Sequence, residues 1–174
     1  MSIFRKSNSV DEVRNGLSAI APRLWRYCVV LTKNRETADD LAQAACLRAL
    51  EKADQFQTGT HLDRWVFRIA QRIWLNDLRA AKVRRGAGVV SLHENDLPES
   101  ATGTNMTAEA NIFVTEVLSN IANLPEAQRS TVMLVYVEGF SYKDAADVLD
   151  IPIGTVMSRL AAARSRLKTE METE

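Results

Sequence analysis

Arg159, Arg164, Arg166 and Lys168 follow one another with no acid between Ile151 and Lys168. Guanidinium and ammonium groups gathered on one segment are the chemistry of phosphate binding, through forked and point-charge contacts respectively. A second row, Arg64, Arg68, Arg72 and Arg79, recurs at helical spacing and is joined by Lys82, Arg84 and Arg85. A third set is acidic: Glu36, Asp39 and Asp40 cluster at the start of one segment. Acids there suit a basic protein partner, and equally the positive end of a helix dipole. The Asp39/Asp40 pair has no accompanying base, nucleophile or pocket signature, so no enzyme, cofactor or small-molecule substrate is expected.

The formal charge, 22 basic against 22 acidic side chains, hides this segregation. Residues 36–54 carry five acids and two bases, residues 61–88 seven bases and two acids, and residues 94–138 seven acids against Arg129 alone. Blocks of one sign steer phosphates or oppositely charged partners locally, whatever the total. Cys28 and Cys46 form no Cys-x-x-Cys pair, and His61 and His93 lie far apart, so neither a metal site nor a disulfide framework is indicated. No run approaches the roughly 20 apolar residues of a membrane span, and "MSIFRKSNSVDEV" has no apolar signal core. A cytoplasmic protein without membrane insertion is expected.

These groups must be held by helices. A hydrophobic share of 46% excludes wholesale disorder, and seven glycines with four prolines favour helix. Val10, Val13, Leu17, Ile20, Leu24, Tyr27 and Leu31 make one stripe, starting at a Ser9/Glu12 capping box and kinked or broken at Pro22. Thr37 with Asp40 marks a second start; Ala38, Leu41, Ala42, Ala45 and Ala49 face inward, small enough for a close neighbour. Thr60 with Asp63 starts a third helix, 62–84. Trp65 reads as a core aromatic there, and Trp74 as the more exposed indole. "RRGAGVVSLHENDLPESATGTNMT" has no helical period and reads as a flexible or extended linker. Beyond it, Val114 to Leu124 form a helix ended by Pro125, and the next turns Val132, Val135 and Tyr136 inward. Ser141 with Asp144 caps a short helix, and the last runs from Ile153 to Lys168, with Pro152 fitting just inside its start. The fold class is all-α: two small helical domains on either side of a linker.

On a wheel, Val156, Leu160, Ala163 and Leu167 fall within about 60° of one another and form the core face of the last helix. Opposite lie Ser158, Ala161, Ala162 and Ser165, small residues between basic flanks. Such a strip lets a helix approach a major groove while bases reach the phosphates, and Ala145 with Ala146 permits the close crossing of a helix-turn-helix. A basic solvated face is the other reading of the same pattern.

Two stretches, taken in order, decide between them. "LTKNRETADDLAQAACLRALEKADQFQTGTHLDRWVFRIAQRIWLNDLRAAKVRR" resembles region 2 of the extracytoplasmic-function (ECF) sigma factors of the sigma-70 family. "LPEAQRSTVMLVYVEGFSYKDAADVLDIPIGTVMSRLAAARSRL" resembles their region 4. The resemblance covers about residues 10–168. It implies region 2 over 10–85, an acidic flexible linker over 86–107 and a region 4 helix-turn-helix over 108–170. It implies binding to core RNA polymerase, promoter recognition and DNA melting, under an anti-sigma factor as partner. Asp39, Asp40, Leu41, Gln43 and Leu47 would dock on the polymerase clamp. Phe56, Thr60 and His61 would hold a flipped −10 base, while Arg64, Arg68, Arg72 and Arg79 track phosphates. At the −35 element, Thr155, Met157, Ser158, Arg159 and Ala162 would face bases, with Arg166 on backbone or packing duty. Met157 and Ala162 depart from relatives, which often carry bases there. That departure keeps open a mimic that captures an anti-sigma factor without reading a promoter. Relative domain placement is left open: complementary charges hold the two together, or they tumble.

Overall fold

The computed structural model describes residues 2–86 and 117–171, and every regular element among them is helical. Helices α1 (Ser2–Thr32), α2 (Arg35–Glu51) and α3 (Leu62–Gly86) pack on one another, with a 3₁₀ turn at Ala53–Gln55. Residues 117–123 form the described part of α4. Helix α5 (Glu126–Val132) runs on into a π-helical segment, Met133–Val137, and α6 (Tyr142–Leu149) and α7 (Ile153–Met171) complete the chain. The expected linker, 86–107, lies outside the described residues apart from Gly86, as does Val114.

Several local expectations change. Helix α1 does not start at Ser9, which is buried within it, and it continues through Pro22. Proline removes the bond to the carbonyl four residues back, but that residue, Ser18, is exposed, so water can take the place of the lost donor. Asn34, not Thr37, caps α2: its side chain accepts from the Thr37 N–H at 2.9 Å. The Thr60/Asp63 box does not form, since the Thr60 hydroxyl donates to the Gln57 carbonyl at 2.6 Å. Pro152 sits one residue before α7, and its carbonyl accepts from the Thr155 and Val156 N–H groups. The Ser141/Asp144 box does form, and Asp150 ends α6 in the left-handed conformation (φ 57°). In the π segment the wider turn places Tyr136 and Val137 outward and Glu138 inward, against the inward Tyr136 expected from an unbroken α period. Trp74, expected to be the exposed indole, is buried, while Trp65 is half-buried against the core.

The two halves share one core. Tyr27, Cys28, Val29, Val30 and Leu31 are buried in succession, so the end of α1 is covered on every side. A helix with one free face buries a stripe; this one is enclosed because α5 packs on it opposite α2. The Phe67 and Phe140 rings meet edge-on at 5.4 Å, joining α3 to the turn before α6. Arg129, the one base among the acids of 94–138, is buried and donates to the carbonyls of Ala122 (2.9 Å), Leu124 (3.2 Å) and Leu31 (2.9 Å). It thereby satisfies chain ends from α4 and α1 at once. Glu138, its side chain fully enclosed, accepts from Arg23 Nε at 2.7 Å, and Arg26 lies 3.8 Å away.

Inside this core the Tyr27 hydroxyl donates to Gln71 Oε1 at 2.6 Å. Burial pushes the Tyr27 phenol well above its ordinary pKa, with Cys28, Glu126 and Glu138 adding to the shift. Burial likewise raises the Cys28 thiol, helped by Cys46, and raises Cys46 itself. These groups keep their protons in the folded chain and lose them in the unfolded one. Their stabilisation is complete below the unfolded pKa values and declines as pH rises above about 9 for the thiols and about 10 for the phenol. The free energy of unfolding, read from urea midpoints, should fall over that range by about 1.4 kcal/mol per pH unit for each of the buried Tyr27 and Cys28 groups as it titrates. Tyr27→Phe should make the fall shallower above pH ~10; an unchanged slope contradicts the assignment.

Candidate nucleic-acid and polymerase interface

Helix α2 presents its docking candidates unequally. Asp39, Asp40 and Gln43 are exposed, and Leu47 is 55% exposed with Leu50 beside it at 43%. Leu41 is a correction to the docking set alone, since its inward place was expected: it is only 4% exposed, packed with Ala38, Ala45 and Ala49, and supports this face from beneath. Asp39 accepts from the Trp25 indole N–H, and the Arg35 guanidinium lies 5.8 Å from the same ring. The result is an acidic, leucine-bearing ridge whose missed member is Leu50. Its seven-residue offset from Gln43 and three-residue offset from Leu47 place it on the same face.

Helix α3 carries the basic row along one side. Arg72 and Arg79 are exposed, Arg64 and Arg68 half-exposed. Thr60 and His61 are exposed in the turn before it, where Gly59 takes a positive φ of 77° that lets the chain reverse. Phe56 is the second correction: it is 5% exposed, stacked on Trp65 with ring centroids 5.2 Å apart. Its ring braces the turn from within and meets no base in this form of the chain. A pocket of about 210 Å³ opens between Thr60, His61, Arg64, Trp65 and Arg68 on one side and Asp144, Asp147 and Val148 on the other.

Helix α7 follows the expected wheel. Val156, Leu160 and Ala163 are buried, while Ser158, Ala161, Ala162 and Ser165 are exposed. Met157 is 50% exposed, Arg166 is exposed, and Arg159 and Thr155 are half-buried. The Ser158 hydroxyl donates to the Thr155 carbonyl at 3.0 Å and remains able to accept. Helix α6 crosses close beneath α7 because Ala145 is fully buried and Ala146 nearly so. Small residues at the crossing and small residues on the outer face give this pair a helix-turn-helix form with a shallow basic outer strip.

What the sequence did not single out is the row of acids opposite α3. Arg64 Nη1 lies 2.6 Å from Asp144 Oδ1, and Arg68 and Arg72 lie 4.0 and 3.8 Å from the Asp150 carboxylate. A signal existed: Asp144, Asp147 and Asp150 repeat at three-residue steps, complementary to the four-residue steps of the arginines.

An all-α chain with an acidic leucine ridge, an arginine row and a helix-turn-helix has the surfaces of a DNA-binding protein. Residues 17–84 match the family model for sigma-70 region 2, and residues 115–167 match that for sigma-70 region 4. The ECF RNA polymerase sigma factor EcfG of Rhodopseudomonas palustris is 34% identical over 158 residues, covering 90% of this chain and 83% of the relative. The ECF sigma factor SigC of Mycobacterium tuberculosis is 30% identical over 162 residues, covering 91% and 82%. Among solved structures, the sigma factor RpoE of Bartonella quintana, in complex with the anti-sigma factor NepR, superposes with a TM-score of 0.72. It is 26% identical and covered over 97% of its length by 92% of this chain. The chain belongs to the ECF sigma factors of the sigma-70 family. It is an RNA polymerase sigma factor, a DNA-binding protein of transcription initiation and not an enzyme. No helix among the described residues is long and apolar enough to cross a membrane.

Proposed function

We propose that region 2 spans residues 10–85 and region 4 residues 108–170, with 86–107 as linker, and that each face described above has its own partner. The exposed side of α2, Asp39, Asp40, Gln43 and Leu47 with Leu50, docks on core polymerase. Thr60 and His61 receive an unstacked base of the −10 element, and Arg64, Arg68, Arg72 and Arg79 hold the adjoining phosphates. Met157, Ser158, Arg159 and Ala162 on α7, with Thr155, meet the −35 element, and Arg166 holds phosphate. The observation that carries this reading is the exposed turn of Thr60 and His61 directly before the arginine row of α3. Exposed polar side chains beside a row of cations suit an unstacked base and its phosphates.

The protein acts where polymerase and promoter are, in the cytoplasm. An anti-sigma factor controls it; support comes from the Bartonella quintana homologue, solved with NepR. With Met157 and Ala162 on its reading face, α7 contributes fewer hydrogen bonds to bases than a more basic helix, so −35 discrimination is shallow. The test is run-off transcription by core polymerase and this protein over a promoter library from its own genome. Defined starts downstream of shared −10 and −35 sequences are expected. Capture of an anti-sigma partner without any start supports the mimic instead. Arg159→Ala should reduce −35-dependent transcription about tenfold, the cost of one charge-assisted contact, with polymerase affinity unchanged in a pull-down. Loss of polymerase binding would sink its −35 role.

A further inference from the structure

Arg64, Arg68 and Arg72, three of the four α3 arginines assigned to promoter phosphate, already face carboxylates within the chain. We propose that Asp144 and Asp150, at the two ends of α6, stand in for DNA phosphate in the free protein and shield the −10 face until the two regions separate. This rests on the assignment of α3 to the −10 element.

The geometry is that of an occupied phosphate row. Arg64 to Arg72 span about 12 Å of α3, and Asp144 to Asp150 about 9 Å along α6 and its cap. Each aspartate has a structural task besides. Asp144 accepts from the Ser141 N–H and hydroxyl through Oδ2 while offering Oδ1 to Arg64. Asp150 caps α6 and presents both oxygens to the arginine row, one toward Arg68 and the other toward Arg72. The same face closes the recess beside Thr60 and His61, where Asp147 and Val148 form the opposite wall. DNA arriving there meets carboxylates where its own phosphates would sit.

These pairs guard access more than they hold the fold. The pairs of Arg68 and Arg72 with Asp150 are 39–72% exposed, the range in which an ion pair adds little to stability; Asp144, 14% exposed, contributes somewhat more through Arg64. The regions are held by other contacts: Phe67 on Phe140, Glu138 with Arg23, and Arg129 on the Leu31 carbonyl. Removing the two charges should therefore change DNA affinity without unfolding the protein. Any ligand that binds only the open form has its apparent affinity lowered by the fraction of chains that are open.

The experiment compares the full chain with Asp144→Asn/Asp150→Asn. Asparagine retains an acceptor for the Ser141 cap and readily adopts the left-handed conformation at position 150. The probe is a short, fluorescent single-stranded DNA of mixed sequence, read by anisotropy at low salt. The variant is expected to bind about tenfold more tightly, with an only slightly lowered melting temperature and unchanged run-off transcription at saturating polymerase. Equal affinity of the two proteins, including no binding by either, overturns the shielding; transcription that persists then leaves the promoter assignment standing. Absence of both DNA binding and transcription overturns the promoter assignment and the shielding with it. If the double variant loses helix, Asp150→Asn alone frees Arg68 and Arg72 and should gain about threefold; no gain contradicts the proposal.

Discussion

Arg129→Ala should lower the free energy of unfolding by about 3–4 kcal/mol, read from urea midpoints at neutral pH. The guanidinium serves three carbonyls from two helix ends. Truncation leaves those oxygens buried and unpaired, and opens space between α1, α4 and α5. Burial lowers the pKa of this guanidinium, with Glu126 opposing the shift. An arginine remains charged even so, and its position at helix C-termini suits that charge. Arg129→Lys keeps the charge but not the planar fork, so it should restore only part of the loss. A loss below about 1 kcal/mol for alanine would mean that water replaces the side chain and that the strut is unimportant. Because one of the three bonds reaches Leu31 on α1, the same substitution should loosen the two regions from each other. Hydrogen exchange at the end of α1 should then rise with exchange in α5.

The second large effect is on promoter opening. Arg64→Ala, Arg68→Ala and Arg72→Ala combined should reduce open complexes on the order of 100- to 1000-fold, since each lost phosphate contact costs about 1–1.5 kcal/mol. The salt dependence of single-strand binding should lose about two units of slope, at ~0.7 per phosphate. Polymerase affinity should not change, because the exposed side of α2 is untouched. The closed chain also loses its pairs to Asp144 and Asp150, but partly exposed pairs contribute little, so the melting temperature should shift only slightly. Wild-type opening by the triple variant would remove α3 from promoter recognition.

Much of this was legible from the residues. The wheel of α7, the small residues of α2 and the Ser141 cap follow from helical period and hydrogen-bonding capacity, both local properties. Leu41 was legible as inward from its place beside the alanines, yet the family pattern set it in the docking face, and Phe56 was set in the base-holding loop: a residue within a functional segment is not thereby on its surface. The four-residue step from Leu41 to Ala45, and the stacking of Phe56 on Trp65, bury them instead. The inward turn of Glu138 was hidden because it depends on the π segment, which offsets the register by a residue with no glycine or proline to mark it. Arg129 was visible only as a charge imbalance. Its role needs Leu31, remote in sequence, and no periodicity reports a contact of that range. The open question of whether the regions tumble or associate resolves into one packed core, with the complementary charges of α3 and α6 at its edge.

Permanganate reactivity of thymines just upstream of a mapped start tests the central claim most directly. With core polymerase and this protein together, those thymines should become reactive, and with either alone they should stay protected in duplex. Polymerase that is recruited by the protein to the promoter yet leaves every thymine unreactive would contradict the account.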